Sequence, residues 1–153
     1  ITPDTAVWNP DAGIISMLAS EGGANVTITG NGAIKALADD SYAVDVQPDS
    51  TMTIENGTFI GNITAAYVQG GHLYVKGGDF SIQQLEPTYQ DERFTLNCLD
   101  SAYRDGTATI EVTGGTFNKF DPANNLAEGA NTNFCPEGYS SVKEGDKYTV
   151  AKA

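Results

Sequence analysis

The sequence predicts an all-β solenoid, a parallel β-helix of about four coils, on the strength of three observations. One motif returns four times: an alternating apolar strand, then glycine, then a single large apolar residue. It reads Val26-Thr-Ile28-Thr-Gly30-Asn-Gly-Ala-Ile34, Met52-Thr-Ile54-Glu-Asn-Gly57-Thr-Phe59, Leu73-Tyr-Val75-Lys-Gly77-Gly78-Asp-Phe80 and Ile110-Glu-Val112-Thr-Gly114-Gly115-Thr-Phe117. Successive copies start 26, 21 and 37 residues apart, and a lone unit of that size cannot bury its own apolar face. Between the copies lie shorter alternating strands at Tyr42–Val46, Ala65–Val68 and Phe94–Leu99, each followed by a polar turn. In a parallel β-helix the Val, Ile, Leu and Phe side chains stack inside, while Thr, Glu, Lys and Asp face outward. The phenylalanine after the glycines then turns a corner back into the core, where glycine permits positive φ.

Along the chain, Asp11–Gly23 reads as a helix that caps the open end of the stack. Asp11 stands at its N-terminus, Ile14, Ile15 and Leu18 share one face, and Gly22 ends it. Residues 25–117 carry the coils. The stretch 81–93 breaks the repeat and is expected to protrude as a loop, as is the turn 100–108. Beyond Phe117 the repeat stops. Residues 118–153 are expected to form a C-terminal cap that closes with a hairpin turning at Glu144-Gly145-Asp146. One domain, residues 1–153, is the expectation for this length, with residues 1–24 as its N-terminal segment.

The net charge is −12, from 20 acidic and 8 basic residues spread along the chain. Such a surface repels phosphate backbones and anionic lipid, so neither nucleic-acid binding nor membrane insertion is expected. No stretch approaches the roughly 20 apolar residues of a membrane span. The chain opens on Ile1 rather than Met, as a processed protein or an excerpt of a longer one would. With one histidine and no Cys-x-x-Cys pair, neither a metal nor a cofactor is expected.

The candidate site residues are few. Carboxylates on neighbouring coils are the signature of polysaccharide-cleaving β-helices, and the candidates are Asp39, Asp40, Asp45, Asp49 and Asp79. Asp45 alternates between Val44 and Val46 and is expected to face outward; the set reads as exposed strand and turn acids. Lys76, Arg93 and Arg104 are the available bases for a lyase, and His72 reads as a solvated turn residue. Tyr74, Tyr89 and Tyr103 are the candidates for stacking on a glycan, with Tyr67 and Trp8 behind them. Asn25, Asn56 and Asn62 each begin a glycosylation triplet. Cys98 is expected inside with Leu96; a Cys98–Cys135 disulfide would clip the cap to the last coil, and the bonded and free states are both open.

The glycine rungs resemble those of right-handed β-helix proteins of the pectate-lyase-like superfamily. The run Gly114-Gly-Thr-Phe-Asn-Lys-Phe-Asp-Pro-Ala-Asn-Asn, with Glu128-Gly, Thr132-Asn-Phe, Glu137-Gly-Tyr139 and the Tyr-Thr-Val150 strand, is similar to a terminal module of gut-phage head-fibre and decoration proteins. The resemblance implies a right-handed helix and a bacteriophage virion setting. It also implies a homo-oligomer, a trimer above all, joined to a capsid or other virion protein, and it carries over no catalytic residue. The expected function is therefore a non-enzymatic virion appendage that displays loops for attachment. A secreted bacterial surface module that binds glycans is the alternative, and a polysaccharide lyase or hydrolase the third reading.

Overall fold

Fourteen strands and one short helix order the described residues, 16–85 and 93–153, of the computed structural model. The fold is all-β, and its parallel sheets fit a β-helix. The chain visits three sheets in turn. The first sheet orders β1 (Ser16–Ser20), β4 (Tyr42–Val46), β7 (Thr64–Val68) and β10 (Leu96–Cys98). The second orders β2 (Asn25–Ile28), β5 (Thr51–Ile54), β8 (Gly71–Val75) and β11 (Ala108–Val112). The third orders β3 (Ala33–Lys35), β6 (Thr58–Gly61), β9 (Asp79–Ile82) and β12 (Thr116–Asn118), then β14 (Lys147–Lys152) and β13 (Tyr139–Glu144). The helix α1 (Asp100–Asp105) lies between β10 and β11.

The register explains why the motif repeats. Val26, Met52, Leu73 and Ile110 pair in one column, and Ile28, Ile54, Val75 and Val112 in the next. Ile34, Phe59, Phe80 and Phe117 pair in the third sheet, so each copy of the motif supplies one layer of every column it touches. The inward residues of the middle layers are completely buried, whereas those of β2 are only partly so.

The paired glycines do two different jobs. Gly78 and Gly115 sit at φ +105° and +97°, a region that side-chain-bearing residues resist. Gly77 and Gly114 lack the Cβ that would collide with the carbonyls of Glu55 and Lys76, one strand below in the stack.

Two expectations are corrected. Residues 16–20 are a strand, β1, paired in parallel with β4, and not part of a helix over 11–23; residues 11–15 lie outside the described residues. Ser-Met-Leu-Ala-Ser is a short apolar run that suits either state, and pairing with β4 decides it. The turn 100–108 contains α1, which ends at Gly106 in the left-handed conformation with its N–H on the Ala102 and Tyr103 carbonyls. The closing hairpin is present, turning at Gly145-Asp146, and β14 runs antiparallel to β12.

The last parallel strand of each sheet meets a different partner. In the third sheet β12 meets β14. In the second, the Val112 N–H donates to the Phe134 carbonyl at 2.8 Å. In the first, the Cys98 N–H donates to Glu128 Oε1 at 2.7 Å. An open sheet edge is a template for unwanted pairing, and these contacts occupy it.

Candidate binding cleft

The segment after β12 is organised by its own polar side chains. Asp121 accepts from the Ala123 N–H at 2.9 Å and from the Ser141 hydroxyl at 2.5 Å. Asn125 and Thr132 pair backbone to backbone, and the Thr132 hydroxyl donates to the Gly129 carbonyl at 2.7 Å while accepting from the Glu128 N–H at 3.1 Å. This tight loop aims Glu128 at β10. Opposite it, Ala102 buries α1 against the core, and Tyr103 packs edge-on against Phe134, 6.4 Å between centroids.

Between these two walls lies an open cleft of about 420 Å³, lined by Phe94, Asp100, Tyr103, Arg104, Leu126 and Glu128. A neighbouring hollow of about 360 Å³ shares Phe94 and Leu126 as its wall and adds Ile82, Leu85, Arg93, Lys119 and Tyr148. Leu126 is 48% exposed, although the large apolar side chains among the described residues are mostly interior. The described ends of the 81–93 stretch, together with α1, flank this two-part cleft.

Its electrostatics centre on two carboxyl groups. Glu128 is pushed up to about 7. Burial is the largest cause, and the Asp100 hydrogen bond and charge add to it; the Cys98 N–H and Arg104 oppose. Tyr67, on β7, is pushed up to about 12 by burial first and then by the charges of Asp100, Asp45 and Glu128. Burial, followed by Cys98 and Glu128, raises Tyr103. The raised Glu128 carboxyl thus shares the cleft with Asp100, a guanidinium and an apolar wall.

The candidate residues scatter around this cleft. Tyr103 lines it. Tyr74 stands half-buried on β8, level with Thr53 and Glu111 of the adjacent strands, and is not among the cleft's lining residues. Tyr89 and Trp8 lie outside the described residues. Tyr67 stacks on Tyr42 at 4.6 Å. His72 is exposed in β8, its Nδ1 2.6 Å from the Thr109 hydroxyl. Of the proposed bases, Arg104 and Arg93 line the two parts of the cleft, and Lys76 is exposed elsewhere.

The acids do not converge. Asp39 accepts from Gln84 at 2.7 Å, and the Asp40 N–H donates to Asn62 Oδ1 at 2.8 Å. Asp49 sits at φ +65° in a turn, and Asp79 is exposed on β9. Asp45 is a correction: it is 5% exposed and accepts from Gln47 and Gln69 on Oδ2, with Oδ1 buried and unpartnered. Burial raises its pKa, and the two glutamine bonds only partly offset that. Its alternation away from Val44 and Val46 was legible; that the outer face of β4 is itself covered was not.

Cys98 and Cys135 are both buried free thiols, so the disulfide is not formed. Each is held as the neutral thiol by burial, with Cys135 pushed up to about 11. Cys98 does lie inside with Leu96. Among the described residues no group of three or more His, Cys, Asp or Glu could hold a metal ion, and no helix is long and apolar enough to cross a membrane. Glu128, Asp100, Phe94 and Leu126 are the cleft residues that sequence reasoning missed as a site; nothing in their spacing signals that they meet. Compared with protein-family models, with curated proteins and with solved structures, the chain finds no match.

Proposed function

We propose that this chain is a non-enzymatic structural and attachment module, a right-handed parallel β-helix of about four coils closed by residues 118–153. As a bacteriophage virion appendage it would be a homo-oligomer, a trimer by preference, anchored to a capsid or other virion protein. It contacts a surface glycan through the cleft between α1 and residues 119–129.

The observation that carries this reading is the cleft itself. Phe94, Tyr103 and the exposed Leu126 form an apolar wall beside polar groups that orient a ligand, the composition of a binding site. The wall stands on a stack of layers whose registered, buried columns resist deformation, which suits a part that transmits force rather than turns over substrate. The right-handed sense follows the preference of parallel crossovers, about 98% of which take that hand.

A cleaving enzyme is supported less well by the same geometry. Asp100 lies on the exposed surface of α1, and the acids singled out from the sequence, Asp39, Asp40, Asp45, Asp49 and Asp79, do not converge on the cleft. No pair of carboxyl groups is therefore set across it as glycosidic cleavage needs. The secreted surface module remains the alternative setting for the same cleft.

Light scattering in solution, followed by a printed glycan array, tests the proposal. A detergent-resistant trimer that binds a glycan without cleaving it is expected. A clean monomer moves the reading to the secreted module, and a monomer that ignores glycans removes both.

A further inference from the structure

We propose that the Asn31-Gly32 step is a site of spontaneous covalent modification, at which the folded chain converts Asn31 into aspartate and isoaspartate. Asn56, one layer further along the stack, assists as a hydrogen-bond donor. The proposal goes beyond the attachment reading and does not rest on it.

Three steps in the chain place a short acid or amide side chain before glycine: Asn31-Gly32, Asn56-Gly57 and Asp105-Gly106. Glycine lets the following N–H close a five-membered imide with such a side chain, provided that N–H is exposed, unbonded and able to turn. The structure separates the three. The Gly106 N–H is engaged, donating to the Ala102 and Tyr103 carbonyls. Among the described residues neither the Gly32 nor the Gly57 N–H has an acceptor. Gly57, however, is buried and sits at φ +115°, and a Cβ on it would stand 3.3 Å from the Gly32 carbonyl and the Phe59 ring. Its carbonyl accepts from the Asp79 N–H at 2.8 Å, and the Thr58 N–H donates to the Gly32 carbonyl at 2.9 Å. Layers on both sides therefore hold the Asn56 turn. Asn31 and Gly32 are both exposed, with open space around Gly30 and Gly32, in the layer of β2 and β3 that ends the second and third sheets.

The side-chain ladder singles out Asn31 further. Asn56 Nδ2 donates to Asn31 Oδ1 at 2.8 Å. That oxygen takes up negative charge when the Gly32 nitrogen adds to Asn31 Cγ, so the donor is aimed at the atom where charge develops. Asn56 has no such help, since its own Oδ1 accepts from no group among the described residues.

The chemistry needs only water. The Gly32 nitrogen, its proton lost to hydroxide, forms a bond to Asn31 Cγ. The Cγ–Nδ2 bond then breaks, and the nitrogen leaves as ammonia after taking a proton from solvent. Water opens the imide: breaking the N–Cγ bond gives aspartate, and breaking the bond from nitrogen to the Asn31 main-chain carbonyl carbon gives isoaspartate. The aspartate sets a carboxylate where Asn56 Nδ2 already donates, a charge-assisted bond. Either product adds one negative charge to an already acidic chain. Because hydroxide drives the first step, conversion quickens as the pH rises.

Peptide mapping by mass spectrometry tests the site on the intact chain, incubated at mildly alkaline pH and digested afterwards. Cleavage after Lys35 and Lys76 puts Asn31 and Asn56 in separate peptides. In the folded chain Asn31 should convert about tenfold faster than Asn56, whereas in urea the two should react within about twofold of each other. Gly32→Ala, whose Cβ meets nothing within 4 Å and whose φ lies outside the left-handed region, should fold and slow Asn31 by about tenfold. Asn56→Ala should slow Asn31 by about threefold; a bond that merely held Asn31 still would, once lost, let it react faster. Equal rates in the folded chain, a lead for Asn56, the same preference in urea, or conversion not slowed in Asn56→Ala overturns the proposal.

Discussion

The ring of Phe80 stacks on the ring of Phe117 at 4.9 Å between centroids, tilted by only 10°. Phe59 repeats the arrangement on the other side at 5.0 Å. Adjacent strands lie about 4.8 Å apart, so the rings stack because the strands do. The aromatic column and the strand register are thus one constraint expressed twice.

Removing the middle ring should therefore be costly. Phe80→Ala is expected to destabilise by about 3–5 kcal/mol, within the range for large core truncations, with the stacking on both neighbours lost as well. The shift in urea midpoint measures it. Tyr74→Ala, at a half-buried outer position, should cost well under half as much.

Close approach at the glycines is expected to be less forgiving than backbone conformation alone. Gly114→Ala would drive a Cβ into the Lys76 carbonyl, a backbone group, so one of the two strands must shift. Gly106→Ala meets nothing within 4 Å and carries only left-handed strain, about 1 kcal/mol. Thermal unfolding of the two variants should separate them clearly, with Gly114→Ala much the lower.

Both thiols should behave as interior groups. Native protein is expected to react slowly with a thiol reagent and to yield two thiols on unfolding, with no change in stability on adding reductant. A reductant-dependent transition would show the disulfide to be present after all.

Asp45 should be a place where charge is a burden. Its pKa is raised by burial, so the folded state holds a proton that the unfolded state releases at lower pH. Its contribution is then best at acid pH and declines as the pH passes the folded value. Asp45→Asn removes that decline, since an amide oxygen still accepts from Gln47 and Gln69. The variant is expected to match or exceed the wild type in urea at neutral pH.

Legibility in the sequence followed locality. The columns through Met52, Leu73 and Ile110 were legible because alternation and glycine corners are local signals, and register merely stacks them. The stretch Ser16–Ser20 was misread because its fate depends on β4, 26 residues away. Helix α1 escaped because six residues with one buried side chain leave no periodic stripe. The cleft was the least legible part. Tyr103 was in hand, but Glu128 reaches Cys98 across 30 residues, and no spacing rule foretells such a meeting.

The central claim is that this β-rich stack attaches through the cleft beside α1. Its most direct test is a glycan-array comparison of wild type, Tyr103→Ala and Tyr74→Ala. Wild type and Tyr74→Ala should bind the same glycan, and Tyr103→Ala should lose it. Equal binding by all three, or none by the wild type, would contradict the claim.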